Sequence, residues 1–176
     1  MVSMRLADEL KQAIRTIPDF PKKGILFRDI TPLLLDGPLF RRCIRHFKKI
    51  ARGKADYVIS IESRGFILGS ALACELGIGF VPIRKKGKLP HTTFQTAYDL
   101  EYGQAVVEIH TDSLKKGSRV IIVDDVLATG GTVKAAVALV RKFSVKLTGA
   151  YFLIELDALA GRKKLKGIPI HSLIHY

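Results

Sequence analysis

Hydrophobic and polar positions switch repeatedly between a helical and a strand period along this chain, and the switches divide it into elements. Residues 5–16 read as helix. The stretch Pro18-Asp19-Phe20-Pro21-Lys22-Lys23-Gly24-Ile25-Leu26-Phe27-Arg28-Asp29-Ile30 is irregular, broken by prolines and a glycine. From Pro38 to about Ala51, Phe40, Ile44, Phe47 and Ile50 fall on one face of an amphipathic helix. Strand and helix then alternate: a strand from Tyr57 to Ile61, a helix from Gly65 to Leu76, a strand from Phe80 to Arg84. Residues 86–100 form a long polar segment without a period. Strands follow at Ala105 to Ile109 and Val120 to Val123, then a helix from Thr132 to Phe143, a strand from Tyr151 to Leu156 and a last short one around Leu173. This alternation predicts an α/β fold, a mostly parallel sheet flanked by helices. A segment as long as 86–100 inside such a fold is expected to act as a flexible lid.

Composition narrows the class. The 176 residues suit a single domain spanning 1–176, which buries roughly 70% of its unfolded surface without staples. No apolar run approaches the roughly 20 residues needed to cross a bilayer. The start, Met1-Val2-Ser3-Met4-Arg5-Leu6, lacks the apolar stretch of a secretion signal, so a cytoplasmic protein is expected. Cys43 and Cys74 lie in predicted helices without metal-ligand spacing and read as buried free thiols. The net charge of +13 is dispersed in small groups such as Lys48-Lys49, Lys85-Lys86-Lys88 and Arg162-Lys163-Lys164. Without a recognisable nucleic-acid module this reads as a solvated surface that gathers anionic substrates, with no specific nucleic acid and no membrane as partner.

The chemistry concentrates in residues 120–132, Val-Ile-Ile-Val-Asp-Asp-Val-Leu-Ala-Thr-Gly-Gly-Thr. A β-branched run stops at two carboxylates, and a loop of small residues and hydroxyls leads into a helix. Gly130 and Gly131 let backbone N–H groups approach an anion closely, because no Cβ intervenes. Thr129 and Thr132 add hydroxyl donors. The helix start at Thr132 contributes unpaired N–H groups and the positive end of its dipole. Asp124 and Asp125 can accept hydrogen bonds from a ribose diol. One loop therefore grips a diol and a monophosphate where open α/β sheets bind ligands. The spacing is neither a Walker loop nor a dinucleotide fingerprint. A phosphorylatable acidic pocket would want a third carboxylate and a later lysine, and that arrangement is not found. The string resembles the phosphoribosyl pyrophosphate-binding motif of type I phosphoribosyltransferases.

Further segments extend the resemblance toward the adenine-specific members. Ile61-Glu62-Ser63-Arg64-Gly65-Phe66 places a hydroxyl, a guanidinium and a glycine at a second helix start, a plausible anion site. In the family this loop grips pyrophosphate and often carries a non-proline cis peptide, expected here between Glu62 and Ser63. Arg84-Lys85-Lys86-Gly87-Lys88-Leu89-Pro90 resembles the family's segment that opens into the lid. The resemblance gives Arg84 and Lys88 to the pyrophosphate. His91-Thr92-Thr93 departs from the pattern, and His91 carries no assigned role. Leu100-Glu101-Tyr102-Gly103 resembles the string whose glutamate is the acid/base near the purine. The irregular segment at 17–35 resembles the adenine-recognising hood. There the backbone of Leu26 can match adenine's amino donor and N1 acceptor, Phe27 and Val126 can flank the ring, and Arg28 can reach a ring nitrogen.

The resemblance implies a type I phosphoribosyltransferase fold with a small hood (about 17–35) and a lid (about 86–103). It implies transfer of a 5-phosphoribosyl group from phosphoribosyl pyrophosphate to adenine N9, giving AMP and pyrophosphate in purine salvage. Its implied catalytic set is Glu101, Arg64 and Lys88. Asp124, Asp125, Ala128, Thr129, Gly130, Gly131 and Thr132 would hold ribose and 5-phosphate; Glu62, Ser63, Arg64, Gly65, Arg84 and Lys88 the pyrophosphate; Leu26, Phe27, Arg28 and Val126 the adenine. Mg²⁺ would arrive with the pyrophosphate substrate rather than on protein ligands, and the family implies a homodimer. Two rivals stay open: the same chemistry on another base such as xanthine, and a regulator that senses the sugar donor and binds nucleic acid through its basic surface.

Overall fold

The computed structural model describes residues 4–99 and 104–176. The chain divides into two compact units, Met1–Ile50 and Ala51–Tyr176.

The first unit opens with α1 (Met4–Ala13), which buries Leu6 and Leu10. The helix ends short of the expected residue 16 because β1 (Arg15–Pro18) pairs antiparallel with β2 (Leu26–Asp29), Arg15 opposite Asp29 and Pro18 opposite Leu26. The segment read as irregular thus contains a hairpin. Asp19, at φ 57, accepts the Gly24 N–H on Oδ1 at 2.6 Å, which closes the connecting loop; Gly24 itself sits at φ 87. The Phe20–Pro21 peptide is cis. Asp29 Oδ1 accepts the Thr31 N–H at 2.9 Å at the entry of α2 (Thr31–Leu35). Asp36 Oδ1 does the same for Leu39 at the start of α3 (Gly37–Ala51), satisfying a donor the helix leaves unpaired. The buried stripe of α3 is Leu39, Cys43, Ile44, Phe47 and Ala51. Phe40 and Ile50 are only half-buried, so the stripe is rotated from the expected face. Burial pushes the Cys43 thiol up to about 12.

The second unit is built on a seven-stranded sheet in the order β5-β6-β4-β3-β7-β8-β9. These strands are β3 (Tyr57–Ile61), β4 (Gly79–Lys85), β5 (Thr93–Asp99), β6 (Gln104–His110), β7 (Arg119–Leu127), β8 (Lys146–Glu155) and β9 (Ile170–His175). Strands β4, β3, β7, β8 and β9 are mutually parallel, and the β5–β6 hairpin adds antiparallel at the β4 edge. The mostly parallel, helix-flanked sheet is the expected fold. Helix α4 (Arg64–Leu76) connects β3 to β4, and α5 (Gly131–Val140) connects β7 to β8.

Strand parity sorts the two helices. Ile59, Ile61, Val81, Ile83, Val120 and Ile122 pack with the buried residues of α5. The alternate position Ser60 faces α4, where a Cβ on Gly69 would lie 1.9 Å from Ser60 Oγ. Cys74, on α4, is exposed, which corrects the expectation that both thiols are buried. Part of the segment read as aperiodic is strand β5, whose Phe94 and Tyr98 pack against the α5-side core. Its interleaved polar residues, Gln95 and Thr96, hide the alternation from a pattern reading.

Candidate active site

The site forms where β7 outlasts its neighbour. Register between β3 and β7 ends at Ser60 opposite Val123, whereas β7 continues alongside β8 to Leu127 opposite Glu155. The apolar run ends at the carboxylates, but the strand does not end at Val123 as expected: Asp124 and Asp125 lie within it, at the point where one edge of it comes free. Beyond Ile61 the chain turns through a cis Glu62–Ser63 peptide, found at the expected position, and enters α4 at Arg64. This is the crevice at the carboxyl ends of parallel strands, between diverging neighbours.

Ion pairs cross the crevice. Arg64 Nε lies 2.9 Å from Asp125 Oδ2. Asp125 is buried and Asp124 half-buried, and the Asp125 N–H donates to Asp124 Oδ1 at 2.9 Å. Withdrawal from water, and then the neighbouring Asp125 charge, raise the pKa of Asp124 well above the usual carboxylate value. Burial also raises Asp125, although Arg64 opposes it. Two adjacent acids with one nearby guanidinium leave this dyad ready for donors such as a diol or for a cationic partner. Gly65 makes the close approach possible: a Cβ there would stand 2.5 Å from Asp124 Oδ1.

A second set of pairs centres on Glu62. Its Oε2 receives Arg84 Nε and its Oε1 receives Lys88 Nζ, both at 2.8 Å. Arg84 Nη1 also donates to the Lys88 carbonyl at 3.1 Å. Burial pushes the Glu62 carboxyl up, but the ammonium of Lys88 and the guanidinium of Arg84 outweigh it and leave the pKa below the ordinary value. Arg64, Arg84 and Lys88 are thus brought to one region, each holding a carboxylate that an incoming polyanion would compete with.

The loop after β7 carries Ala128, Thr129, Gly130, Gly131 and Thr132 into α5. The helix begins at Gly131 rather than Thr132, with Gly130 as N-cap at φ 75, a conformation a side chain would resist. The loop rests on a segment that the sequence did not single out. A Cβ on Gly130 would meet the Gly161 carbonyl at 2.6 Å, and one on Gly161 would meet the Ala128 carbonyl at 2.1 Å. Gly161 starts a 3₁₀ turn, Gly161–Lys164, whose Arg162 donates to buried Glu155 at 2.8 and 2.6 Å. Glu155 also accepts the Ser172 hydroxyl, so the support is anchored in β8 and β9. A lone glycine in a basic run gives no motif signal, and only the backbone contact reveals it.

Leu26, Phe27 and Arg28 lie on β2 of the first unit. Leu26 is exposed, Phe27 meets Phe20 edge-on at 5.1 Å between centroids, and Arg28 Nη1 donates to the Thr16 hydroxyl. Val126 is half-buried on β7. Glu101 lies outside the described residues.

The phosphoribosyl transferase domain model matches residues 34–172. The adenine phosphoribosyltransferase of Carboxydothermus hydrogenoformans is 54% identical over 96% of this chain and 99% of its own. That of Nostoc punctiforme is 56% identical over the same shares. Among solved structures, the adenine phosphoribosyltransferase of Thermoanaerobacter pseudethanolicus superposes with a TM-score of 0.93 at 50% identity, covering 97% of this chain and 99% of that one. The Saccharomyces cerevisiae enzyme, solved with adenine and an imino-altritol 1,6-bisphosphate, gives 0.91 at 44% identity over 96% and 98%. With the family model matched over most of its length and near-complete coverage in both directions, the chain belongs to the phosphoribosyltransferase family and, within it, to the adenine phosphoribosyltransferases.

Proposed function

We propose that the protein transfers the 5-phosphoribosyl group of phosphoribosyl pyrophosphate to N9 of adenine, releasing AMP and pyrophosphate. The observation that carries this reading is the crevice at the end of β7, where an acid pair for a diol, amides for a phosphate and three cations for a pyrophosphate converge on parallel strand ends.

In the transfer, the bond from ribose C1 to pyrophosphate breaks with its electron pair leaving on the phosphate oxygen, and adenine N9 bonds to C1 as the imidazole-ring proton of adenine is given up to a base, the work assigned to Glu101. Charge builds up on the departing group, so fixed cations aimed at it lower the barrier. Arg64, Arg84 and Lys88 fill that role by releasing Asp125 and Glu62. Ser63 and Gly65 contribute to the same grip, and Glu62 keeps the cations in place between turnovers. Asp124 and Asp125 orient the sugar diol, and residues 128–132 hold the 5-phosphate, which converts the encounter into an aligned one. Magnesium comes with the pyrophosphate as part of the substrate, as so hard a cation does with phosphate oxygens, and no protein ligand is assigned to it.

Adenine recognition is assigned to the Leu26 backbone, Phe27 and Arg28, with Val126 offering apolar surface, and Glu101 to acid/base work on the purine. A backbone carbonyl and N–H matched to adenine leave a mispaired acceptor against a 6-oxo purine, the kind of error that discriminates strongly. Residues of about 17–35 act as a hood and about 86–103 as a lid that excludes water from the activated sugar. Family likeness also supports a cytoplasmic homodimer acting in purine salvage with neither nucleic acid nor membrane as partner; no helix among the described residues is long and apolar enough to cross a membrane. Incubation with the sugar donor, Mg²⁺ and each purine in turn tests the proposal. AMP from adenine alone supports it, and equal turnover of hypoxanthine or xanthine, or none with any base, contradicts it.

A further inference from the structure

We propose that Glu108 is a positioning residue for the sugar donor: from β6 its buried carboxylate fixes the backbone of the turn that presents Lys88. Glu108 lies opposite Arg84 of β4 and Gln95 of β5 in the sheet register. It is only 2% exposed. Its Oε1 accepts the N–H groups of Lys88 and Leu89, each at 3.0 Å. Its Oε2 faces the Thr93 hydroxyl and the Gln95 amide, each at 3.3 Å. Burial pushes this carboxyl up, but the amides of Leu89 and Lys88, with the Thr93 hydroxyl and the Gly87 amide, more than reverse it. The group is therefore ionised at neutral pH.

A buried carboxylate is costly, and an apolar residue would fill the same place in the sheet without that cost. Here the charge is directed mainly at backbone donors in the turn after β4, with Gly87 at φ 83. Lys88 is thereby held at three points: its amide by Glu108, its carbonyl by Arg84 and its ammonium by Glu62. The outer two contacts change when a polyanion draws Arg84 and Lys88 away from Glu62. The bond to Glu108 lies behind them, buried, and keeps the turn in register. The inference rests on the reading that Lys88 meets the pyrophosphate.

Steady-state kinetics of Glu108→Ala, Glu108→Gln, Lys88→Ala and the Glu108→Ala/Lys88→Ala double variant test it. Misplacement of a cation by about 1 Å costs on the order of 100-fold, so Glu108→Ala is expected to lower kcat/KM for the donor by that factor. KM for adenine stays within about twofold, since the defect lies on the donor side. Glu108→Gln keeps an acceptor without the charge, and charge-assisted bonds are roughly twice as strong, so a severalfold loss is expected. That variant carries the test if the alanine form does not fold. Because Glu108 acts through Lys88, the double variant should be no worse than Lys88→Ala alone, whereas a general loss of structure would multiply the two defects. Wild-type donor kinetics in both Glu108 variants, or multiplying defects, overturns the inference. Wild-type kinetics in Lys88→Ala would instead remove the reading of Lys88 beneath it.

Discussion

Arg64 Nε and Asp125 Oδ2 hold each other at 2.9 Å across the crevice between β3 and β7. The cation assigned to pyrophosphate and the carboxylate assigned to ribose are therefore each other's partner before any ligand arrives. On the proposed function, donor binding would exchange this pair for one contact to the pyrophosphate and one to the ribose. Glu62, which pairs with both Arg84 and Lys88, would undergo the same exchange.

Asp125→Asn tests the exchange. It replaces one charged acceptor oxygen for the sugar with an amide donor and removes the carboxylate charge that Arg64 Nε meets. A hydrogen bond to a charged group contributes about 1.5–3 kcal/mol. Donor kcat/KM should fall at least about 10-fold, the low end of that range. The thermal melt should stay close to wild type. A variant with unchanged donor kinetics would show that Asp125 serves the fold alone.

Asp124→Asn should stabilise the empty protein. The folded-state pKa of Asp124 is raised by burial and by Asp125. Between the unfolded and the folded pKa the native form thus holds a proton that the unfolded chain has given up. Stability is lost as pH rises from the unfolded value through the folded one. Asparagine keeps the acceptor for the Asp125 N–H and has no charge to bury. Its melting temperature should exceed wild type at neutral pH, with the gap closing toward the unfolded-state pKa of 3.8. Donor use should fall at the same time. A wild-type melting curve at both pH values contradicts this.

Gly161→Ala should damage donor binding although it lies 30 residues beyond the loop glycine Gly131. Its Cβ would enter the Ala128 carbonyl, and the backbone there cannot rotate aside as a side chain could. Forced overpacking costs about 1–3 kcal/mol. Gly130→Ala adds to a similar clash the penalty of a left-handed conformation, about 1–2 kcal/mol. Donor KM should rise in both, with the larger loss of melting temperature in Gly130→Ala. Wild-type donor KM in Gly161→Ala would remove its supporting role.

Asp56 and Arg119 make a pH-dependent contribution away from the site. Asp56 accepts Arg119 Nη2 at 2.6 Å, Nε at 3.2 Å and its N–H at 2.8 Å. The side-chain bond from Arg119, then the backbone one, lower Asp56 from 3.8 to about 2. The stabilisation is complete above the unfolded value and is lost as pH falls through the folded one. Asp56→Asn should melt below wild type at neutral pH, and the difference should shrink between pH 3.8 and about 2. A difference independent of pH would assign it to packing.

The alternation of strands and helices made the parallel sheet legible, because buried β-branched runs such as Val120 to Val123 and helix periods such as α3 survive in sequence. The junction between β7 and α5 was legible because a β-branched run followed by small residues, hydroxyls and paired glycines marks a strand handing over to a helix. Strand β5 was not, since its apolar positions Phe94 and Tyr98 sit four apart among polar residues and only pairing with β6 reveals the strand. The extent of β7 past Asp125 depends on β8 outrunning β3, a property of two other strands. The pairing of Arg64 with Asp125, and of Glu108 with the turn at Lys88, joins residues far apart in the chain. Spacing carries no trace of such contacts.

The most direct test is a crystal structure with AMP bound. The expected result places the ribose hydroxyls on Asp124 and Asp125 and the 5-phosphate on the amides of residues 129–132, with Arg64 released from Asp125. A nucleotide seated elsewhere, or a phosphate held by side chains away from the start of α5, would contradict the assignment of this crevice as the transfer site.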